Sequence, residues 1–150
     1  MKTLISKSVY DIESTKRLAK EITKILNQSK NFSVFLEGGL GAGKTFLVRE
    51  ILKNLGIEST ISSPTYTYVN EYSANKKDYA HFDFYRLKSP DSFFQKGFEE
   101  IADDKNISCF SEWIDKVSTQ AQKSFSGEKF CIRIEFGAGV GMRKIKVFSV

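Results

Sequence analysis

Apolar residues recur along this chain at two different spacings, helical and strand-like, and their alternation predicts an α/β fold. Leu18, Ile22, Ile25 and Leu26 share one face of a helix opened by Asp11, a residue type whose side chain accepts the free N–H groups of a first turn. The run Phe32 to Leu36 is short, apolar and β-rich, as a buried strand is. Helical spacing returns in Phe46, Leu47, Ile51, Leu52 and Leu55 until Gly56 stops it. After an extended piece around Thr60, Tyr66 to Tyr72 and Asp78 to Phe84 flank a polar turn and predict a hairpin. Ser89-Pro90 predicts the start of a short helix. Asn106 to Phe110 reads as a strand ending at Glu112-Trp113, and Lys129 to Phe136 with Lys144 to Val150 as a final strand pair.

Composition narrows this picture only a little. The 150 residues are one domain's worth, so a single domain is expected over positions 1–150. No apolar stretch approaches the roughly 20 residues of a membrane span, and Met1 to Lys7 lacks a signal-peptide core. The expected location is therefore the cytoplasm, away from membranes. Cys109 and Cys131 each sit in an apolar run, which predicts buried free thiols rather than a disulfide or metal site. The net charge of +5 suits a polyanion or an acidic protein partner, and equally a solvated surface with surplus Lys.

Candidate chemistry enters with Gly38 to Thr45, where Gly38, Gly43, Lys44 and Thr45 complete the spacing G-x-x-x-x-G-K-T. Glycines let the backbone curl so that successive N–H groups face phosphate oxygens. Lys44 then reaches the β- and γ-phosphates, and the Thr45 hydroxyl ligates the Mg²⁺ that bridges them. The predicted strand before the loop and helix after it supply the context that such an anion site needs.

One motif argues for guanine. Asn75-Lys-Lys-Asp78 matches N-K-x-D, with which GTPases read the guanine edge. It falls about thirty residues after Lys44, between two alternating strands, where Asn, Lys and Asp are ordinary turn residues. No D-x-x-G follows the loop either, so ATP is the expected nucleotide.

Ser63-Pro-Thr-Tyr66, then His81-Phe-Asp-Phe-Tyr-Arg86, then Glu112-Trp113, in that order behind the glycine loop, closely resemble the TsaE family, formerly YjeE. The resemblance covers nearly the whole chain. It implies a P-loop NTPase fold, a three-layer α/β/α sandwich around a mixed sheet. It further implies a bacterial ATPase that binds the TsaB–TsaD pair, the partners that transfer threonylcarbamoyl to the adenine beside the anticodon. Transfer RNA would be met through that pair, DNA not at all, and the ATPase alone would be slow. Gly39 stands where the family often has Asp, and Phe46 where a second Thr is common. These departures touch backbone contacts and the tuning of the loop.

Hydrolysis needs charge neutralised at the γ-phosphate, a placed Mg²⁺ and an oriented water. Backbone from Gly41, Ala42 and Gly43 to Phe46, with Lys44, is expected to supply the first, and Thr45 with Glu112 the second. Glu112 ends a strand, where open α/β sheets present site residues, although a surface Glu capping the next helix is the plainer alternative. Asp83 lies between Phe82 and Phe84, so the pleat aims it away from them. It either orients water or a metal-bound ligand, or pairs with Arg86. Thr65 follows Pro64 in a loop placed like a switch segment that closes on the γ-phosphate, or it is a plain connector. Trp113 packs under the nucleotide or fills core, and His81 reads as a packed histidine. Thr15 and Arg143 match positions near the family's nucleotide contacts. Rival readings are a small-molecule P-loop kinase, for which no Arg-rich lid is visible, and a nucleotide-dependent binding module that does not hydrolyse.

Overall fold

The computed structural model describes all 150 residues. Its elements run β1 (Lys2–Val9), α1 (Ile12–Leu26), β2 (Phe32–Glu37), α2 (Lys44–Asn54), β3 (Val69–Ala74), β4 (Lys77–Asp83), α3 (Ser92–Gln95), α4 (Glu99–Ala102), β5 (Ile107–Glu112), a 3₁₀ turn (Ile114–Lys116), α5 (Thr119–Ser124), β6 (Glu128–Phe136) and β7 (Arg143–Ser149). All strands join one sheet in the order β1-β7-β6-β2-β5-β4-β3. Pairs β6–β2, β2–β5 and β5–β4 are parallel, and the outer pairs β1–β7, β7–β6 and β4–β3 are antiparallel. The mixed sheet carries α1 and α2 on one face and the shorter helices on the other, a three-layer P-loop NTPase fold. No helix is long and apolar enough to cross a membrane.

Local chemistry explains the long helices. Asp11 accepts from the Ser14 N–H at 2.7 Å while Ser14 Oγ accepts from the Asp11 N–H at 3.1 Å, so each satisfies an orphan donor at the start of α1. Leu18, Ile22 and Leu26 then face the sheet, buried with Leu47, Ile51 and Leu52 of α2. At its other end α2 closes as a Schellman motif: Gly56 N–H donates to Lys53 O and Ile57 N–H to Leu52 O, both at 3.1 Å. The opposite face is covered by an aromatic cluster in which Phe82, Phe84, Phe93, Phe98 and Phe125 pack edge-to-face and stacked.

Several elements differ from expectation. Strand β1 carries no clear alternation because Lys7 lies between the buried Ile5 and Val9 and pairs with Glu21 of α1 at 2.7 Å. The hairpin's first strand begins at Val69 rather than Tyr66, since Tyr68 is left-handed (φ 67°) and its N–H closes a turn onto Pro64 O at 2.8 Å. The single short helix expected after Ser89-Pro90 is instead α3 and α4, separated at Gly97. Helix α5 has little apolar pattern, with Ala121 its buried residue. Asn75 and Lys76 are both left-handed (φ 53° and 62°), as a two-residue hairpin turn requires. Asn75 Nδ2 also donates to Leu55 O at 3.3 Å, fastening the turn to the end of α2. Both cysteines are buried free thiols, pushed up to about 12 by burial.

Candidate nucleotide site

The carboxyl ends of β2, β4 and β5 lie side by side, with Leu36 paired to Glu112 and Glu112 to Asp83. From the end of β2 the chain turns through Gly38 to Gly43 and enters α2 at Lys44. Gly43 holds φ 107°, which a side chain would strain, and a Cβ at Gly38 would lie 2.8 Å from Ile134 O. The first N–H groups of α2, from Lys44 to Phe46, lack intrahelical partners by geometry, so the loop and helix end form a cradle for anionic oxygens.

Lys44 is buried although charged. Its ammonium donates to Gly38 O and to Gly39 O, the latter at 3.1 Å, and lies 4.0 Å from the centre of the Trp113 ring. Burial pushes its pKa down, against the pull of the Glu112, Asp83 and Asp115 carboxylates. Trp113 reaches this place because it is left-handed (φ 59°), a sparsely populated conformation for a large residue, which turns the chain sharply off β5. Tyr85 packs beside it, with ring centres 4.9 Å apart.

Thr45 Oγ1 donates to both oxygens of Glu112, at 2.8 and 3.0 Å, across the gap between α2 and β5. Glu112 is only 2% exposed and caps no helix, since the following 3₁₀ turn begins from Trp113 without a side-chain cap. His81 Nε2 lies 2.8 Å from Glu112 Oε2. Asp83 does not pair with Arg86. Its Oδ1 accepts from the Tyr85 N–H at 3.0 Å and its Oδ2 from Thr65 Oγ1 at 3.4 Å, while the Arg86 guanidinium stacks on Tyr66. Burial holds the Asp83 carboxyl above the usual range, and the neighbouring Glu112 adds to this against the Tyr85 N–H.

Two cavities flank the loop. One, of about 420 Å³, is lined by Gly41, Lys44, Thr45, Thr65, Asp83, Glu112 and Trp113, with Ala42, Gly43 and Phe46 at its margin. The other, of about 270 Å³, lies between the loop and β7 and is mostly apolar: Val9, Ile12, Phe46, Ile134 and Ile145, with Asp11, Thr15 and Arg143 as polar members. Arg143 Nε donates to Ala42 O at 3.1 Å and its guanidinium stacks on Phe136, 4.4 Å from the ring centre. Thr15 Oγ1 is engaged with Asp11 O at 2.9 Å. The phosphate-side residues expected from the sequence thus meet in the first cavity, and Thr15 and Arg143 in the second. His81, Tyr85 and Arg86 also belong around the first cavity, His81 from beneath. The alternation His81-Phe-Asp-Phe84 signals this, because it sets His81 and Asp83 on one face.

The donor set suits a nucleotide and Mg²⁺. Thr45 and Glu112 bring hard oxygen donors together from two elements, and a small dication of this kind takes few protein ligands and completes its shell with phosphate and water. A cation, a cradle of N–H groups and an adjoining apolar cavity accommodate phosphates at one end and a flat base at the other.

A family model described as "Threonylcarbamoyl adenosine biosynthesis protein TsaE" matches residues 9–144. Among curated proteins, the chain is similar to the tRNA threonylcarbamoyladenosine biosynthesis protein TsaE of Haemophilus influenzae, with 36% identity over 75% of this chain and 72% of the relative. It is also similar to the proteins of that name from Treponema pallidum, at 34% over 77% of this chain and 81% of the relative, and Rickettsia conorii, at 46% over 59% of this chain. The match spans half the length of the Rickettsia conorii relative, 50%. Among solved structures, YdiB of Bacillus subtilis superposes with a TM-score of 0.69 over 97% of this chain and 85% of its own, at 24% identity, a likeness of fold.

Proposed function

This chain belongs to the TsaE family, and from that premise we propose that it is a Mg²⁺-dependent ATPase acting in formation of threonylcarbamoyladenosine on transfer RNA. The observation that carries the reading is the contact of Thr45 and Glu112 beside Lys44, a metal-ready pair of oxygens next to a phosphate-ready cation. Bound Mg²⁺ would offset phosphate charge and fix the geometry of the transferring group. Thr45 and Glu112 would hold it, and Lys44 would exchange the carbonyls of Gly38 and Gly39 for phosphate oxygens. Asp83 sits at the same cavity wall as a hydrogen-bond acceptor for the attacking water; the water oxygen would bond to the γ-phosphorus as the bond to the β,γ-bridging oxygen breaks, and its proton would pass to the released phosphate, leaving ADP and phosphate. Arg143, Thr15 and the apolar wall around them hold the nucleoside end.

The surroundings of the mouth support partner dependence. Leu40 and Tyr66 are 70% and 80% exposed, and Thr65 is bound only through hydroxyl contacts to Ser63 and Asp83. Exposed apolar groups at a catalytic mouth suit a protein that covers it, and a cover that orders the Ser62 to Tyr68 segment would complete the donors around developing charge. We assign the TsaB–TsaD pair to this role, with transfer RNA engaged through it in the cytoplasm. ATP turnover is to be measured with and without Mg²⁺ across a titration of that pair, scoring ADP, free phosphate and any phosphorylated acceptor. Slow Mg²⁺-dependent release of phosphate, accelerated by the pair, is expected. Full turnover without partners, or transfer to a small acceptor, would replace the reading with an autonomous ATPase or a kinase.

A further inference from the structure

We propose that His81 is a positioning residue for Glu112, holding the carboxylate in the orientation from which it meets Thr45 and a divalent cation. The proposal rests on the metal role of Thr45 and Glu112 given above. His81 stands on β4 opposite Phe110, two residues before Asp83, so its ring lies on the same sheet face as Glu112 and beneath it. Both side chains are almost wholly excluded from water, 1% and 2% exposed, and Nε2 approaches Oε2 to 2.8 Å. A carboxylate so placed has no solvent to satisfy it, and the protein must supply its donors. Thr45 supplies a single hydroxyl hydrogen, shared between Oε1 at 2.8 Å and Oε2 at 3.0 Å. The N–H of His81 is the second donor, and it fixes Oε2 while Oε1 remains the oxygen nearer Thr45.

The other ring nitrogen sharpens the inference. Nδ1 is buried without a hydrogen-bond partner, so the ring is oriented for Glu112 at the expense of its own second polar atom. A histidine that merely filled space would find its partners where packing allowed. An unpaired buried polar atom calls for a reason, and the bond that Nε2 makes to Glu112 supplies one. His81 touches neither nucleotide nor metal in this assignment and acts through Glu112.

The test uses the full chain with ATP and Mg²⁺, following binding by the fluorescence of Trp113, the chain's one tryptophan. His81→Leu removes the donor. His81→Gln restores it, because the amide nitrogen of Gln reaches about as far as Nε2, and His81→Asn falls short of Glu112. Removing such support should raise the Mg²⁺ needed for half-maximal nucleotide binding by about 10- to 100-fold in the Leu and Asn variants. Gln should return to within about threefold of the parent, and ATP binding in excess chelator should be alike in all four proteins. Thermal unfolding is recorded for each, and if Leu does not fold, the Asn and Gln pair decides. An unshifted Mg²⁺ requirement in Leu or Asn, or a Gln variant no better than these, overturns the role of His81. A parent whose binding ignores Mg²⁺, or one in which Glu112→Gln leaves the requirement unchanged, overturns the metal assignment beneath it instead.

Discussion

The two cavities on either side of the phosphate loop share Ala42, Gly43 and Phe46 yet are built from opposite materials. The larger one gathers Lys44, Thr45, Asp83 and Glu112 at the ends of parallel strands, where each polar group already has a partner within the site. The smaller one is walled mostly by apolar side chains, among them Val9, Ile134 and Ile145 from β1, β6 and β7, and has Asp11 and Arg143 as its charged members. A polar, preorganised cavity changes the energy of a transition state, whereas an apolar cavity contributes mainly to holding the ligand in every state. Substitutions in the first should therefore alter turnover and metal use, and those in the second should alter affinity.

The largest separation is expected from Lys44→Ala. Loss of the ammonium should lower ATP turnover by about 10²- to 10³-fold, with circular dichroism unchanged because Lys44 contacts loop carbonyls and one ring face rather than the core. Retained parental turnover in the presence of the partners would end the distinction. Glu112→Gln comes next. It keeps the shape but weakens the oxygen proposed to hold the metal, so the Mg²⁺ requirement should rise by about 10- to 100-fold or hydrolysis stop with nucleotide bound, as read by Mg²⁺ titration of turnover.

Thr65→Ala should act through closure of its segment. Partner-stimulated hydrolysis is expected to fall by about tenfold with nucleotide affinity of the isolated chain nearly unchanged; an equal loss in both would mean that Thr65 belongs with the holding groups. On the apolar side, Arg143→Ala should weaken ADP binding by about threefold to fivefold in calorimetry while kcat stays constant, because its half-buried guanidinium, stacked on Phe136 and bonded to Ala42 O and Met142 O, shapes this cavity and not the phosphate side. A change in kcat there would blur the two roles.

The smallest effect is one of stability. Burial raises the folded-state pKa of Asp83, so its ionised form opposes folding above that pKa, and the penalty disappears as pH falls through the folded value and then below the ordinary 3.8. Asp83→Asn should therefore raise Tm of the nucleotide-free chain near neutral pH, with the gain shrinking in acid. A gain that is constant with pH would assign it to packing instead of charge.

Much of this was legible in the sequence where a residue's surroundings come from its near neighbours. The loop spacing and the buried run Phe32 to Leu36 announce themselves because both faces of β2 are covered, so apolar residues follow one another with Ser33 as the single polar interruption. Strand β1 escaped because the exposed Lys7, paired with Glu21 of α1, interrupts the side on which Ile5 and Val9 are buried. Tyr66 and Tyr68 look like strand residues but belong to a turn, fixed by contacts that alternation does not encode. Within the site, Lys44, Thr45 and Glu112 follow from motif and order. The bond between His81 and Glu112 required knowing that β4 and β5 are neighbours and in which register.

Asn75 sits far from either cavity, and its grip on Leu55 O has a mechanical meaning. Helix α2 is clamped at both extremities, to β5 through Thr45 and Glu112 and to the hairpin through Asn75, so it behaves as a strut pinned across the sheet. Both ends of that strut are held. On the proposed reading, adjustment to a nucleotide would fall to the loop before it and to the Ser62 to Tyr68 segment, which Asn70 Nδ2 ties to the same hairpin through Ser62 O at 3.1 Å.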